Sequence, residues 1–229
     1  MGVALEDLRA QALGAHRWEV RNIAVKELGK RKGEEGAKET LLDVVSDRRP
    51  SVWWRRLMGE PFFQVGFSRR NAWASLAEHT PSLEEIEASL DQGLDDPYYE
   101  VRTAIWKLLA VVLKDKDVNV PVSLKENLRQ RMNSEGDFEI LTAALGVSDR
   151  IYEMDELLAW SSKLDAFKHW RVRAAYLDAI ERCCDRGILR REEVEPVLKN
   201  FNLRSEYFQP VFMLKEHGSR LERSLRHED

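Results

Sequence analysis

The chain has 229 residues, of which 43% are hydrophobic and 33% are charged. This mixture excludes an intrinsically disordered chain, and the length is enough for one globular domain or one repeat array with a substantial core. The formal net charge of -4 provides no overall attraction to phosphate backbones or to anionic lipid. Composition therefore favours protein partners and disfavours nucleic acid.

The cysteine and hydropathy patterns indicate in which cellular compartment the chain is expected. Cys183 and Cys184 are adjacent in a predicted helix, where neighbouring side chains point about 100° apart, so no disulfide is expected between them. The longest apolar run, residues 108–113, is too short to cross a bilayer, and no signal-like segment follows Met1. We therefore expect a cytoplasmic, reduced monomer that is not inserted in a membrane.

Helical periodicity runs along the chain, with apolar residues every three or four positions, as at Ile86, Leu90 and Leu94. Helix-start signals stand at Thr80-Pro81, at Asp96-Pro97 and at Ser123 with Glu126. The pattern predicts an all-α protein of six helix pairs, in chain order 4–14 with 18–31, 36–46 with 67–79, 82–93 with 97–114, 122–133 with 137–147, 154–166 with 169–186, and 190–200 with 204–217. Pro210 should bend or break the last helix, and the charged residues 219–229 should fray.

One short pattern recurs along the chain: an aromatic residue, a charged residue, Val, Arg, any residue, a small or aliphatic residue and an apolar residue. It covers residues 18–24, 99–105 and 170–176, with a weaker copy at 67–73 and a degenerate copy without Arg at 138–144. Aligned on Arg21, Arg70, Arg102 and Arg173, the copies indicate a period of roughly 35 residues. Such a period predicts an array of similar helical units.

The segment Asp96-Pro97-Tyr98-Tyr99-Glu100-Val101-Arg102 resembles the HEAT-repeat signature that opens the second helix of a repeat. The resemblance implies a single array over residues 1–218, built as a right-handed α-solenoid of about six stacked antiparallel helix pairs. Proteins of this architecture mostly present a surface to a binding partner. We therefore expect a non-enzymatic module that docks a protein or peptide on the concave wall of its second helices.

An insert of about 14 surplus residues lies in the second unit, between residues 47 and 66, because the interval there exceeds the roughly 35-residue period. It contains aromatic residues interleaved with arginines, the residue types enriched at binding hot spots. The predicted partner-binding residues are Trp53, Trp54, Arg55, Arg56, Phe62 and Phe63, with Arg69 and Arg70 beside them at an exposed rim. The alternative is that the four aromatics only fold back as a hydrophobic lid.

Arg21, Arg102 and Arg173 form a predicted structural ladder, because equivalent positions of stacked repeats lie in a row. In the resembling repeats this Arg commonly pairs with an acidic residue of a neighbouring turn, and Asp95 or Asp96 is the expected partner of Arg102. A ladder that itself binds a ligand is the alternative. The residues expected in the core beside this ladder are Val20, Val101, Val172, Ile23, Ala104 and Ala175.

Catalytic motifs, metal-spaced Cys/His groups and Gly-rich phosphate loops are missing from the sequence, so we expect no enzyme activity, no metal and no cofactor. One alternative is an enzyme similar to the HEAT-like alkylpurine DNA glycosylases. That resemblance depends on Trp53-Trp54 and on Trp170 with residues 173–175. It departs from the family at residues 55–58, where Arg-Arg-Leu-Met stands in place of an acidic residue. A continuous basic stripe would favour this alternative over the protein-binding module.

Overall fold

The protein is described by a computed structural model over residues 3–34, 36–47, 63–115, 117–164 and 169–200. Within these ranges the regular structure is helical and no strand occurs, so the all-α prediction is confirmed. The helices are α1 (Leu5–Gly14), α2 (Trp18–Lys30), α3 (Ala37–Val45), α4 (Phe63–Leu76), α5 (Leu83–Leu94), α6 (Tyr99–Val112), α7 (Val122–Ser134), α8 (Phe138–Ala144), α9 (Ser148–Ile151), α10 (Met154–Lys163), α11 (Trp170–Asp185) and α12 (Arg191–Asn200).

The observed helices follow the predicted ones to within a few residues at most ends, as apolar periodicity allows. One difference is the short helix α9, which follows a 3-10 turn at Leu145–Val147. The predicted helix 204–217 with Pro210, and the tail 219–229, lie outside the described residues. The chain divides into two compact units, Met1–Val118 and Asn119–Asp229, and a single array over 1–218 stays a prediction.

The six helices among the described residues of the first unit pack as two sets. The odd-numbered helices α1, α3 and α5 contact one another in chain order, and so do the even-numbered helices α2, α4 and α6. Each odd helix also packs on the even helix that follows it. The even helices α2 and α4 run in the same direction, because Trp18 contacts Phe67 near their starts and Gly29 contacts Ser75 near their ends.

In the second unit, α11 packs on α8 and on the short helix α9, while α9 also contacts α7 and α10. Helix α12 packs on α10. Among the described residues of this unit, the largest fully buried side chains are Trp160 and Tyr176, so two aromatic rings contribute much of the described core.

Capping differs from the sequence expectation at three helix starts. Ser82, rather than Thr80-Pro81, caps α5: its hydroxyl accepts from the backbone N–H of Glu85, whose carboxylate accepts from Ser82 N–H. The box predicted at Ser123 does not form, because α7 begins at Val122 and Ser123 already lies in its first turn. Asp96 and Pro97 lie three and two residues before Tyr99, the first residue of α6, and do not start this helix.

The predicted core residues divide between burial and exposure. Val101, Val172 and Ala104 are buried as expected, and Val20 and Ala175 are half-buried. The prediction for Ile23 is wrong, since its side chain is 61% exposed. On α2, Asn22 faces α4 and Leu28 is fully buried. Because successive residues of a helix are rotated by about 100°, Ile23 lies on the exposed side of α2.

Candidate functional site

The ladder arginines reach back to the end of the preceding helix. Arg21 Nη1 donates to the backbone carbonyl of Ala15 at 2.7 Å, Arg102 Nη1 donates to that of Asp96 at 2.7 Å, and Arg173 Nη2 donates to that of Leu164 at 3.5 Å. Each acceptor lies just past the last turn of α1, α5 or α10, where carbonyl groups lack helical partners and the helix dipole is negative. The three side chains therefore tie each helix to the next one.

The fourth copy of the Arg pattern is anchored by Arg69, not Arg70, as burial shows. Three residues after the anchor, each copy has a fully buried side chain, at Ala24, Ala72, Ile105 and Tyr176. Seven residues after the anchor, each copy again has a fully buried side chain, at Leu28, Leu76, Leu109 and Ile180. Counting from Arg70 instead leads to Ala77, which is only half-buried. The sequence alignment of this copy is therefore corrected by one residue.

Arg69 forms a buried ion pair with Asp96. Its Nε lies 2.7 Å from Asp96 Oδ2 and its Nη2 lies 3.1 Å from Oδ1, with side-chain exposures of 6% and 0%. The same carboxylate accepts from the backbone N–H of Tyr98, and the guanidinium lies 5.8 Å from the centre of the Tyr98 ring. The sequence placed Arg69 at an exposed rim; the structure buries it, because it joins α4 to the turn between α5 and α6.

Arg70 lies half-buried over an aromatic ring. Its guanidinium carbon is 4.8 Å from the centre of the Phe67 ring, and its Nε and Nη2 both donate to Asn71 Oδ1. The Phe67 ring is 6.1 Å from the Trp18 ring, and the nearby start of α6 carries Tyr99, which is 40% exposed. We call Trp18, Phe67 and Tyr99, at the starts of the three even helices, the aromatic edge.

The insert residues Trp53, Trp54, Arg55, Arg56 and Phe62 lie outside the described residues. Phe63 is the first residue of α4, and its side chain also lies outside what is described. The chain therefore enters α4 at the end that carries the aromatic edge. The binding role predicted for the insert stays a prediction.

Half-buried and exposed side chains of the even helices define a second surface, the even-helix face. Its members include Ile23 and Lys26 of α2, Phe67, Arg70 and Ala74 of α4, and Tyr99, Lys107 and Val111 of α6. Glu19 and Glu100 belong to it as well, at the positions of α2 and α6 that correspond to Phe67. Apart from Arg70, the individual residues of this face were not predicted from the sequence. Its helical spacing of three and four residues was the available signal.

A polar cleft of about 520 Å³ lies between α7 and the start of α10 in the second unit. Arg129 stands at its centre with carboxylates of Glu126, Glu153 and Glu156 within 3.3 to 3.8 Å of its guanidinium. Tyr152 Oη and Lys163 Nζ both donate to Asn133 Oδ1 on its wall. The charged and hydrogen-bonding groups of the cleft are thus largely paired with one another.

A stack of rings joins the starts of α8 and α11. The His169 ring lies 3.8 Å from the Phe138 ring, nearly parallel to it, and its Nδ1 accepts from the backbone N–H of Arg171. Burial, and next the neighbouring Arg171 cation, lower the pKa of His169, while Glu139 opposes them. The neutral imidazole is therefore a helix cap, and His169 has a structural role here.

The two cysteines are buried and free of disulfide, as the sequence predicts. Burial, with a smaller contribution from the Asp149 carboxylate, raises the pKa of Cys183 to about 12. A thiol with so high a pKa is not a nucleophile at neutral pH. Asp149 itself is bound by Arg182 and Arg186 in a structural cluster.

Across the described ranges, no three His, Cys, Asp or Glu side chains come together as a metal site. None of the helices in that part of the chain is long and apolar enough to span a membrane. The chain matches no protein-family model, no curated protein and no solved structure. No family is assigned on this basis, and the HEAT resemblance remains a hypothesis.

Proposed function

We propose that the chain is a non-enzymatic interaction module with the architecture of a HEAT-like α-solenoid. The two sets of helices in the first unit and the repeated arginine contacts at helix ends support this architecture. The burial pattern that recurs at the same distances from each anchor supports it as well. Stacked helical repeats of this kind bury one face of each helix and leave an extended surface for a partner.

The partner-binding surface in this proposal is the aromatic edge with the adjoining even-helix face. The observation that carries the proposal is Arg70 lying over Phe67, beside Trp18, with all three side chains partly accessible to solvent. Aromatic and Arg side chains contribute most of the free energy at protein interfaces. Their rings also lose little conformational entropy on binding, since few torsions have to be fixed.

The nucleic-acid alternative depended on a continuous basic stripe that included Arg69 and Arg70. Arg69 cannot contribute to such a stripe, because it is buried and paired with Asp96. The observed placement therefore favours a protein or peptide partner over DNA.

Affinity capture from the source organism tests the module. Tyr99→Ser and the double variant Phe67→Ser with Tyr99→Ser alter the aromatic edge, and Val122→Ser with Ile188→Ser is the matched control, since Val122 and Ile188 are 83% and 45% exposed. We expect proteins captured by the wild type and the control to fall about fivefold or more on the edge variants. Equal capture by all four proteins would contradict the proposal.

A further inference from the structure

We propose that the even-helix face of the first unit binds an acidic polypeptide segment that carries an aromatic side chain. This inference rests on the proposed function and adds the chemistry of the partner.

Charge is divided unequally between the two sets of helices. The odd helices carry eight exposed carboxylates, at Glu6, Asp7, Glu39, Asp43, Glu84, Glu85, Glu87 and Asp91, and two basic side chains, Arg9 and Lys38. The even helices carry three carboxylates, Glu19, Glu27 and Glu100, and six basic side chains outside the core, Arg21, Lys26, Lys30, Arg70, Arg102 and Lys107. The buried Arg69 is paired with Asp96 and adds no charge to the surface. An acidic ligand is therefore attracted to the even-helix side and repelled from the other.

Ion pairs increase this difference in charge between the two sets of helices. Both basic side chains of the odd helices are neutralised: Arg9 pairs with Asp43 at 3.2 Å, and Lys38 pairs with Glu85. On the even-helix face, by contrast, no carboxylate of a described residue lies within ion-pair distance of Lys26, Arg70 or Lys107. Partner carboxylates can pair with these three cations without first displacing a described carboxylate of the chain.

The helix register places the cations around Ala74, whose side chain is small. Lys26, Ala74 and Lys107 each lie five residues after the anchoring Arg of their helix, so they are equivalent positions on adjacent helices, and all three are exposed. Arg70 lies about one turn nearer the aromatic edge than Ala74. The small Ala74 side chain leaves room for a backbone to cross between the two lysines.

The spacing suits a polypeptide. Adjacent packed helices lie about 8 to 10 Å apart, which equals about three residues of polyproline II chain at roughly 3.1 Å each. Because this conformation has three residues per turn, side chains three residues apart lie on the same side of the peptide. Carboxylates three residues apart can therefore follow the cations across the helices, while an aromatic side chain reaches the Phe67 ring. Double-stranded DNA carries one negative charge about every 1.7 Å. This charge density is far higher than that of a face with three cations and the two carboxylates Glu19 and Glu100, so the face suits an acidic peptide better than DNA.

Fluorescence anisotropy tests the inference on the full chain. The probe is a labelled 12-residue peptide with Glu at every third position and one Tyr, and its companion has Gln in place of each Glu. Arg70→Gln should weaken binding of the Glu peptide about five- to tenfold, and Lys26→Gln and Lys107→Gln about threefold each. The matched control Arg9→Gln removes the same charge from the odd side and should stay within about twofold.

Four outcomes decide the inference. Equal binding of the Glu and Gln peptides, or equal weakening by Arg9→Gln and Arg70→Gln, overturns it. Tighter binding of a single-stranded oligonucleotide than of the Glu peptide overturns it in favour of nucleic acid. If the aromatic edge still captures a partner but the Glu peptide does not bind at millimolar concentration, the partner is not acidic and only this inference fails. Unchanged thermal midpoints of the Gln variants exclude unfolding as the cause of weaker binding.

Discussion

Arg69 and Asp96 form a two-point ion pair in the interior of the first unit, with Nε and Nη2 on one oxygen each. Breaking such a pair leaves a buried charge without a partner. Arg69→Met should therefore lower the free energy of unfolding by about 3 to 5 kcal/mol, measured by urea denaturation.

Arg70→Met is the matched control for this change, because Arg70 is the next residue of the same helix and is only half-buried, with no ion pair to a described carboxylate. It should cost less than about 1 kcal/mol. The double variant Arg69→Met with Asp96→Leu should recover much of the lost stability, since no charge is then left buried. Equal costs for Arg69→Met and Arg70→Met would show that the pair is not where we place it.

Gly66→Ala should destabilise the first unit, because a Cβ at this position would lie 2.5 Å from Cδ2 of the Tyr98 ring. Overpacking of this kind costs about 1 to 3 kcal/mol. Gly14→Ala, at the end of α1, meets no atom within 4 Å and should leave the thermal midpoint unchanged or raise it slightly. Identical midpoints for the two alanine variants would contradict the close packing of α4 on Tyr98.

His169 should make stability depend on pH. Its pKa in the folded protein lies below the ordinary value of 6.5, so the unfolded chain binds the proton more readily. The stabilisation is complete above the unfolded value and is lost as pH falls through the folded one. His169→Asn keeps a capping side chain without titrating. The drop in thermal midpoint between about pH 7.5 and 5.5 should therefore be smaller in this variant. An equal drop in the variant and the wild type would show that His169 is not the source of the pH dependence.

Cys183 and Cys184 should resist alkylation in the native protein. Both thiols are buried, and burial raises the pKa of Cys183 to about 12. We expect neither thiol to react with iodoacetamide at neutral pH until the second unit unfolds, as followed by mass spectrometry in increasing urea. Rapid labelling of the native chain would show that the α11 packing described here is wrong.

The all-α class and the helix positions could be predicted because apolar spacing and turn residues are local signals. The register of the fourth copy could not, because Arg69 and Arg70 are adjacent and identical, and only burial tells them apart. In the corrected register Gly66 takes the position of Trp18 and Tyr99, since the Tyr98 ring fills that space. The aromatic rule that guided the alignment fails at that residue for this reason.

The candidate surface was only partly predictable. Arg70 was expected at an exposed rim, and it lies half-buried over Phe67. Lys26 and Lys107 were missed, because whether a lysine lacks a carboxylate partner depends on neighbouring helices and not on its own segment. Ile23 was assigned to the core from an equivalence with Ala104 that holds in sequence but not in packing.

Site-specific photo-crosslinking tests the central claim, that the even-helix side of the first unit is the partner-binding surface. A photoreactive amino acid replaces Tyr99 on the aromatic edge in one protein, and Ala88, an exposed residue of the odd helix α5, in another. Crosslinking in the source organism should join a discrete partner to the chain from position 99 and not from position 88. Equal products from both positions, or products from position 88 alone, would contradict the claim.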